Sequence, residues 1–509
     1  MNKNNTVTGS QISGVPRTAE WAGAWVARRL GLRLRASEDG IGPDISTDVT
    51  ARRGPYGAPA EPAASGARGA YALGTPRTEA EHDTEALHGL VGLALRRNPR
   101  RAHLLVSTVL GKHVPQLPRV VHGAGLELGR RVGEALGDPA AAPLVIGYAE
   151  TATGLGHCVA EALSGATYLH STRRPVAGVA PVGGFEEEHS HATSHLLLPA
   201  DPDLLAGGGP LVLVDDELST GRTVLNTIEA IHRAAPRARY VVAALIDVRT
   251  PADRLDMVSF AARLGVRVDV VALASGTVTL PPDALARGAA LVAAEEARQR
   301  TPRRAEPEYG PAPVVRLVLD WPADLPDGGR HGFTPAHRAE LEKALPVLGE
   351  QLATQIVGAR RVLVLGCEEL MYVPLRLALA LADATAAPAF AQVRPEVRFS
   401  TTTRSPVLAV DDPGYAIRTR LVFPAHDDPA DGPGDRFAYN VDPGGDPARR
   451  FEAIVAAVDS AADTAALHAP GGLLDELARV TDRVVLVVLP SRVPPPSATP
   501  SVPETEVVR

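Results

Sequence analysis

The chain has 509 residues, 45% hydrophobic but only 4% aromatic, which suits two or three domains with cores of Ala, Val and Leu. A net charge of −7 argues against a nucleic-acid partner, and two cysteines, Cys158 and Cys367, exclude a disulfide scaffold and a Cys-rich zinc site. Three lysines against 49 arginines remove most lysine chemistry, while 47 Gly and 45 Pro require loops and tails.

Residues 1–86 read as a partly disordered N-terminal region, with one amphipathic stretch at 21–32 and a Gly/Ala/Pro-rich loop at 39–75. It has no apolar leader core, so a cytoplasmic location is expected. A helical pattern covers 79–97. Across 87–294, strands at 143–146, 166–170, 210–214, 240–247 and 266–273 alternate with helices, including one from about Leu155 and one over 220–234. Strand, turn and helix recurring at this spacing predict a doubly wound parallel sheet, an α/β fold. A charged, Pro-containing segment at 295–313 reads as a linker. Over 314–490 the alternation restarts as a second, Rossmann-like α/β domain. Its strands are read at 314–320, 361–366, 397–402, 418–423 and 483–489, and its helices at 336–357, 368–382 and 449–462. Residues 362–382 are the most apolar stretch, but Glu368, Glu369 and Arg376 break it, so no membrane partner is expected. The Pro-rich tail 491–509 reads as disordered.

The sharpest signal is Leu211-Val-Leu-Val-Asp-Asp-Glu-Leu-Ser-Thr-Gly-Arg-Thr223. An apolar strand brings Asp215 and Asp216 to the carboxyl edge of the sheet, where open α/β folds bind ligands. Ser219, Thr220, Gly221, Arg222 and Thr223 then offer hydroxyls and N–H groups at a helix start, a cradle for phosphate. Carboxylates repel phosphate but suit a sugar diol, so the pair points to a ribose 5-phosphate. An apolar strand ending in acids is also found in P-loop ATPases. No lysine here stands in Gly-x-x-x-x-Gly-Lys-Ser/Thr, which excludes that reading. The remaining alternative is that the acids merely end a strand and cap a helix.

The acidic motif followed by Thr220-Gly221-Arg222-Thr223 resembles the fingerprint of the type I phosphoribosyltransferases. The resemblance implies phosphoribosyl diphosphate as a substrate, Asp215 and Asp216 on the ribose hydroxyls, and magnesium held indirectly through substrate oxygens. It also implies that the loop Ala149, Glu150, Thr151, Ala152 and Thr153 binds diphosphate, helped by Arg173 and Arg174 after the next strand. Solvated strand-end arginines are the alternative for the latter two. Gly183 to His195 stands where the family carries a mobile loop, with Glu188 and His189 as groups able to move protons. His189, His191 and His195 are alternatively a metal site, or the segment is a solvated acidic face. Lys112, retained against the arginine bias, is a candidate for a specific role or an accident of composition.

In the second domain Thr403-Arg404-Ser405-Pro406 is similar to the signature of the TRSP domain, found C-terminal to one phosphoribosyltransferase branch. Ala149-Glu-Thr-Ala-Thr-Gly-Leu-Gly156 and Glu187-Glu-His-Ser-His191 match that branch too, whereas Cys367 departs from the small hydroxyl residue expected there. The branch is associated with tellurite-resistance and stress gene clusters and with a nucleoside-like metabolite. The resemblance therefore implies a pentosyltransferase acting on an unidentified base-like acceptor, and it admits a homodimer. A regulator that senses a nucleotide or phosphoribosyl diphosphate without turnover is the competing class. Glu368, Glu369, Thr403, Arg404 and Ser405 are the second domain's candidate site. There Arg404 either recognises an anion or braces the domain interface through a carboxylate.

Overall fold

The apolar runs that open each strand–turn–helix unit assemble into two parallel sheets. The computed structural model describes residues 20–37, 79–98, 100–138, 140–186, 194–299, 310–427 and 434–494. The first part runs α1 (Ala24–Leu30), β1 (Arg33–Ala36), α2 (Glu79–Leu90), β2 (Val91–Leu95), β3 (His103–Ser107), α3 (Pro118–Leu136), β4 (Leu144–Gly147), α4 (Thr153–Glu161) and β5 (Thr167–His170). It continues through β6 (Gly183–Glu186), β7 (Ser194–Leu197), β8 (Leu211–Leu218), α5 (Arg222–Ala234), β9 (Arg239–Asp247), α6 (Pro251–Leu264), β10 (Arg267–Thr279) and α7 (Ala284–Gln299). The sheet order is β1-β10-β9-β8-β4-β5, parallel except for β1 at the edge. Side chains alternate across β8, as the pleat requires. Val212 and Val214 pack with Leu128 and Val159 from α3 and α4, whereas Leu211 and Leu213 pack with Ile228 and Phe260 from α5 and α6. Helices on both faces make the fold doubly wound, as the sequence predicts.

The second part contains β11 (Val314–Leu317), α8 (Pro335–Gln355), β12 (Arg361–Gly366), α9 (Tyr372–Ala384), β13 (Glu396–Thr401), β14 (Arg420–Pro424), β15 (Asp435–Tyr439), β16 (Ala453–Asp459), α10 (Ala465–His468), α11 (Leu473–Ala478) and β17 (Val484–Leu489). Its sheet, β11-β17-β16-β12-β13, is parallel throughout. No helix among the described residues is long and apolar enough to cross a membrane.

The two parts share one apolar core. Tyr168 of β5 and Phe333 exchange backbone hydrogen bonds of 2.9 and 2.7 Å, and Gln116 does the same with Phe399 of β13. His157 of α4 is sandwiched between Tyr168 and Tyr372, with ring centroids 4.4 and 3.5 Å away. A side chain at Gly154 would have its Cβ 2.9 Å from that of Met371, so glycine is what lets the second domain approach α4.

Several segments differ from the sequence reading. The helix expected over 79–97 stops at Leu90, and Val91–Leu95 becomes a fully buried strand paired antiparallel with β3. The helix expected over 449–462 is instead β16, at the centre of the second sheet. Ala453–Asp459 is buried at every position, and a uniformly apolar run carries no period by which helix and strand can be told apart. The strand read at 418–423 corresponds to β14, which pairs with the unread β15 in a separate hairpin. Helix α9 begins only at Tyr372, because Cys367 to Leu370 form a tight turn with Glu368 at φ +49°. Within the expected linker, α7 runs on to Gln299 and buries Glu295, while residues 300–309 lie outside the described residues. In the N-terminal region, α1 and β1 are folded, with Trp25 and Leu30 in the shared core.

Candidate active site

Strand β8 continues through both acids, so Asp215 and Asp216 belong to the sheet, with Asp215 paired opposite Ala244 of β9. Successive strand residues face opposite sides. The Asp215 charge acts on Tyr148 and that of Lys112 on Asp216, while at the carboxyl end of the strand both acids stay half-buried, open to a ligand at the sheet edge. Burial raises the Asp216 carboxyl above the usual range, and the Lys112 ammonium opposes that shift. Next to Asp216 is a small, mostly apolar cavity walled by Leu90, Val91, Leu105, Val109 and Leu273.

After β8 the chain turns through Ser219 and Thr220, both half-buried, to Gly221 at φ +78°, the residue before α5. Only glycine takes this left-handed conformation without strain. Gly221 has no side chain with which to cap α5, and the Thr220 hydroxyl accepts the Arg222 N–H at 3.4 Å, so hydroxyl and helix start stand together where an anion can bind. A Cβ at Gly221 would point inward, 3.2 Å from Met257 Cε and 3.5 Å from Arg249 Cδ. The glycine therefore serves the turn and its packing. Arg222 is exposed and Thr223 half-buried at the mouth of the cradle.

The loop after β4 is tighter than a phosphate loop read from sequence suggests. Ala149, Glu150, Ala152 and Thr153 are buried, and Thr151 alone of the five is half-exposed. The Ala149–Glu150 peptide is cis. Lys112, 4% exposed, donates to Thr151 Oγ1 at 2.7 Å and lies 3.1 Å from Glu150 Oε1. This one ammonium group therefore binds the loop of β4 while its charge acts on Asp216 of β8. Its selective retention among three lysines is the signal that marks it in the sequence.

Arg174, expected from the sequence to assist with diphosphate, is buried, paired with Asp427 and 3.6 Å from both Glu368 and Asp459 of the second domain. Arg173 is half-buried, and its backbone N–H donates to Glu369 Oε1 at 3.0 Å. Thr172 Oγ1 donates to the other oxygen of Glu369 at 2.7 Å.

Arg404 reaches the opposite way. Its Nε is 3.3 Å from Glu150 Oε2, and its Nη2 donates to Glu368 Oε2 at 2.8 Å. Of the two roles expected for Arg404, the bracing of the interface is the one present. Thr403 is fully buried, and its hydroxyl accepts from the N–H of Ser405 at 3.1 Å. Burial would raise the carboxyls of Glu368 and Glu369. The guanidinium groups of Arg174, Arg404 and Arg436 around the first, and of Arg330 and Arg174 around the second, hold both at about 2.

His195 is buried, with Nδ1 2.9 Å from Ser171 Oγ, which in turn accepts the N–H of Ala149. Glu188, His189 and His191 lie outside the described residues. Among the described residues no cluster of three or more His, Cys, Asp or Glu side chains could hold a metal ion.

Asp327 borders a narrow interdomain cleft with His170, Arg330, Glu369 and Tyr372. Burial pushes its carboxyl up to about 6 from 3.8, against the pull of Arg330 and with the help of Asp459. A folded-state value above the unfolded one means that ionisation costs stability, increasingly as pH rises through this window. Asp327→Asn is therefore expected to stabilise the chain by roughly 1–3 kcal/mol above about pH 7, with the gain vanishing towards pH 4. Urea unfolding of both proteins across pH checks this, and a gain independent of pH overturns it.

Two family models match: phosphoribosyl transferase over residues 90–277, and the TRSP domain that lies C-terminal to it over 327–477. Together they span more than half of the chain. The first domain belongs to the phosphoribosyl transferase family and the second to its TRSP companion. The first domain is thus that of a pentosyltransferase. Among solved structures, the adenine phosphoribosyltransferase of Giardia lamblia complexed with 9-deazaadenine is 18% identical, over 36% of this chain and 94% of that one, with a TM-score of 0.26. The Rhodothermus marinus adenine phosphoribosyltransferase is 19% identical over 37% and 96%, with a TM-score of 0.25. The Aeropyrum pernix orotate phosphoribosyltransferase is 23% identical over 37% and 88%, with a TM-score of 0.22. No curated protein matches the chain.

Proposed function

We propose that the chain transfers the phosphoribosyl group of phosphoribosyl diphosphate to a base-like acceptor, releasing diphosphate. The observation that carries this reading is the continuity of β8: two acids at its carboxyl end lead through Ser219 and Thr220 to the start of α5 at Gly221. Asp215 and Asp216 accept hydrogen bonds from the ribose hydroxyls, and their charge offsets the positive charge that develops at C1 as the diphosphate departs. Ser219 to Thr223 hold the 5-phosphate. Lys112 and Thr151, with Arg173, hold the leaving group, and fixing both ends of the substrate aligns C1 for attack.

Magnesium fits this donor set. The two carboxylates are hard oxygen ligands too few for a protein cage, the number with which magnesium binds through substrate phosphates. When bound at Asp215 and Asp216 through the substrate, it supplies charge neutralisation of the diphosphate. A nucleoside-like product in a tellurite- or stress-response pathway completes the proposal, and for that part the support is the sequence resemblance alone.

Asp215→Asn and Asp216→Asn should each weaken binding of magnesium phosphoribosyl diphosphate by roughly 10- to 150-fold, the worth of a charged hydrogen bond. Titration calorimetry reads this directly. Wild-type affinity in both variants would remove the acids from the ribose site. Incubation with cell extract, followed by mass spectrometry for a ribosylated product, identifies the acceptor.

A further inference from the structure

The carboxyl edges of the two parallel sheets face one another. From the first sheet come the loop after β4 and residues Thr172 to Arg174 after β5. From the second come Glu368 and Glu369 after β12, Arg404 after β13, and Asp459 at the end of β16. Across this seam each domain gives an arginine to the other. Arg174 enters the acids of the second domain, and Arg404 enters the diphosphate loop of the first, at Glu150. Glu369 clasps the strand-end segment with both oxygens, one on the Thr172 hydroxyl and one on the Arg173 N–H.

We propose that Glu369 and Arg404 are positioning residues for the diphosphate half of the active site, so that the second domain completes that site rather than running a separate one. This rests on the functional reading above. Glu369 is 3% exposed and ionised, so its two hydrogen bonds are charge-assisted and shielded from competing water. They fix the backbone at the residue that carries Arg173. Arg404 fixes the carboxylate of Glu150, which Lys112 also approaches. Holding Glu150 to one side leaves the Lys112 ammonium on Thr151, where it can meet the leaving group. The cradle at Ser219 to Thr223 is instead built on the first domain. Its glycine packs against Met257 and Arg249, both of the first domain.

The proposal therefore separates two ligands. In Glu369→Ala and Arg404→Ala, affinity for magnesium phosphoribosyl diphosphate and for inorganic diphosphate should fall about 10- to 100-fold, with ribose 5-phosphate affinity unchanged. Glu369→Gln, which keeps one acceptor, should recover part of the loss. Thr172→Val removes the same hydrogen bond from the other side and leaves the acid–arginine cluster whole. It carries the test if the alanine variants fail to fold. Calorimetry with the full chain reads all three ligands. Folded variants that bind diphosphate as wild type does, or that lose ribose 5-phosphate affinity by the same factor, overturn the proposal. A wild-type chain that binds no phosphoribosyl diphosphate overturns the functional reading instead, and is recognised before any variant is compared.

Discussion

Lys112→Met is expected to cost about 3 kcal/mol of stability, the scale for breaking a buried ion pair from one side. The ammonium is 4% exposed and lies within 3.1 Å of Glu150 and 2.7 Å of Thr151. Methionine fills its space but leaves the Glu150 carboxylate with Arg404 alone, and removes the charge that opposes the raised Asp216 carboxyl. Affinity for phosphoribosyl diphosphate should fall with it, by roughly 100-fold, because a buried cation placed for the leaving group is lost. Lys343→Met is the contrast. Lys343 sits exposed on α8 in an i,i+3 pair with Glu340, and its loss should move the unfolding midpoint very little. Denaturant melts and calorimetry on the two variants decide the matter, and similar behaviour of both would remove Lys112 from the site.

Gly221→Val should remove the 5-phosphate cradle. At φ +78° a residue with a side chain is strained by roughly 1–2 kcal/mol, and a β-branched one by more. The new Cβ also starts 3.2 Å from Met257 Cε. The strain is relieved most cheaply by unwinding the turn between β8 and α5, which turns the helix start away from the phosphate. Ribose 5-phosphate affinity is expected to drop by at least about 100-fold, with Gly221→Ala intermediate. Because the damage comes from the inward side, Met257→Ala should restore part of the binding lost in Gly221→Ala. Wild-type affinity in Gly221→Val would show that the turn does not position the phosphate.

What the sequence reveals of this site depends on how far apart the partners lie. Asp215, Asp216 and Gly221 are legible because strand, acids, turn and helix start follow one another within a few residues, and local sterics enforce each step. The two-sheet architecture is legible for the same reason, apart from uniformly buried runs such as Ala453–Asp459 that have no period. Arg174 is read as a diphosphate ligand because its sequence neighbours offer nothing better. Its true partners, Asp427 and Asp459, stand more than 250 positions away and are brought near only by the docking of the sheets. Lys112 meets Thr151 across 39 positions, and composition alone hints at it. Glu369 is read as part of a second-domain site, but nothing beside it in the sequence points to Thr172 and Arg173, 197 and 196 positions away.

The reciprocal arginines bear on how such a protein can be inherited. Parted from its companion, the first half would show Arg174 and the Tyr168–His157 face to water, and the second would show Glu368, Glu369 and Tyr372. Neither half is a finished globule that recombination could graft onto a new neighbour. A lineage that split the gene would need both products made together and in equal number. One that discarded the second half would have to repaint the face of α4 and β5 with polar side chains, and find Arg174 a new counter-ion. Substitutions on the two sides of the seam should therefore be fixed in compensating pairs.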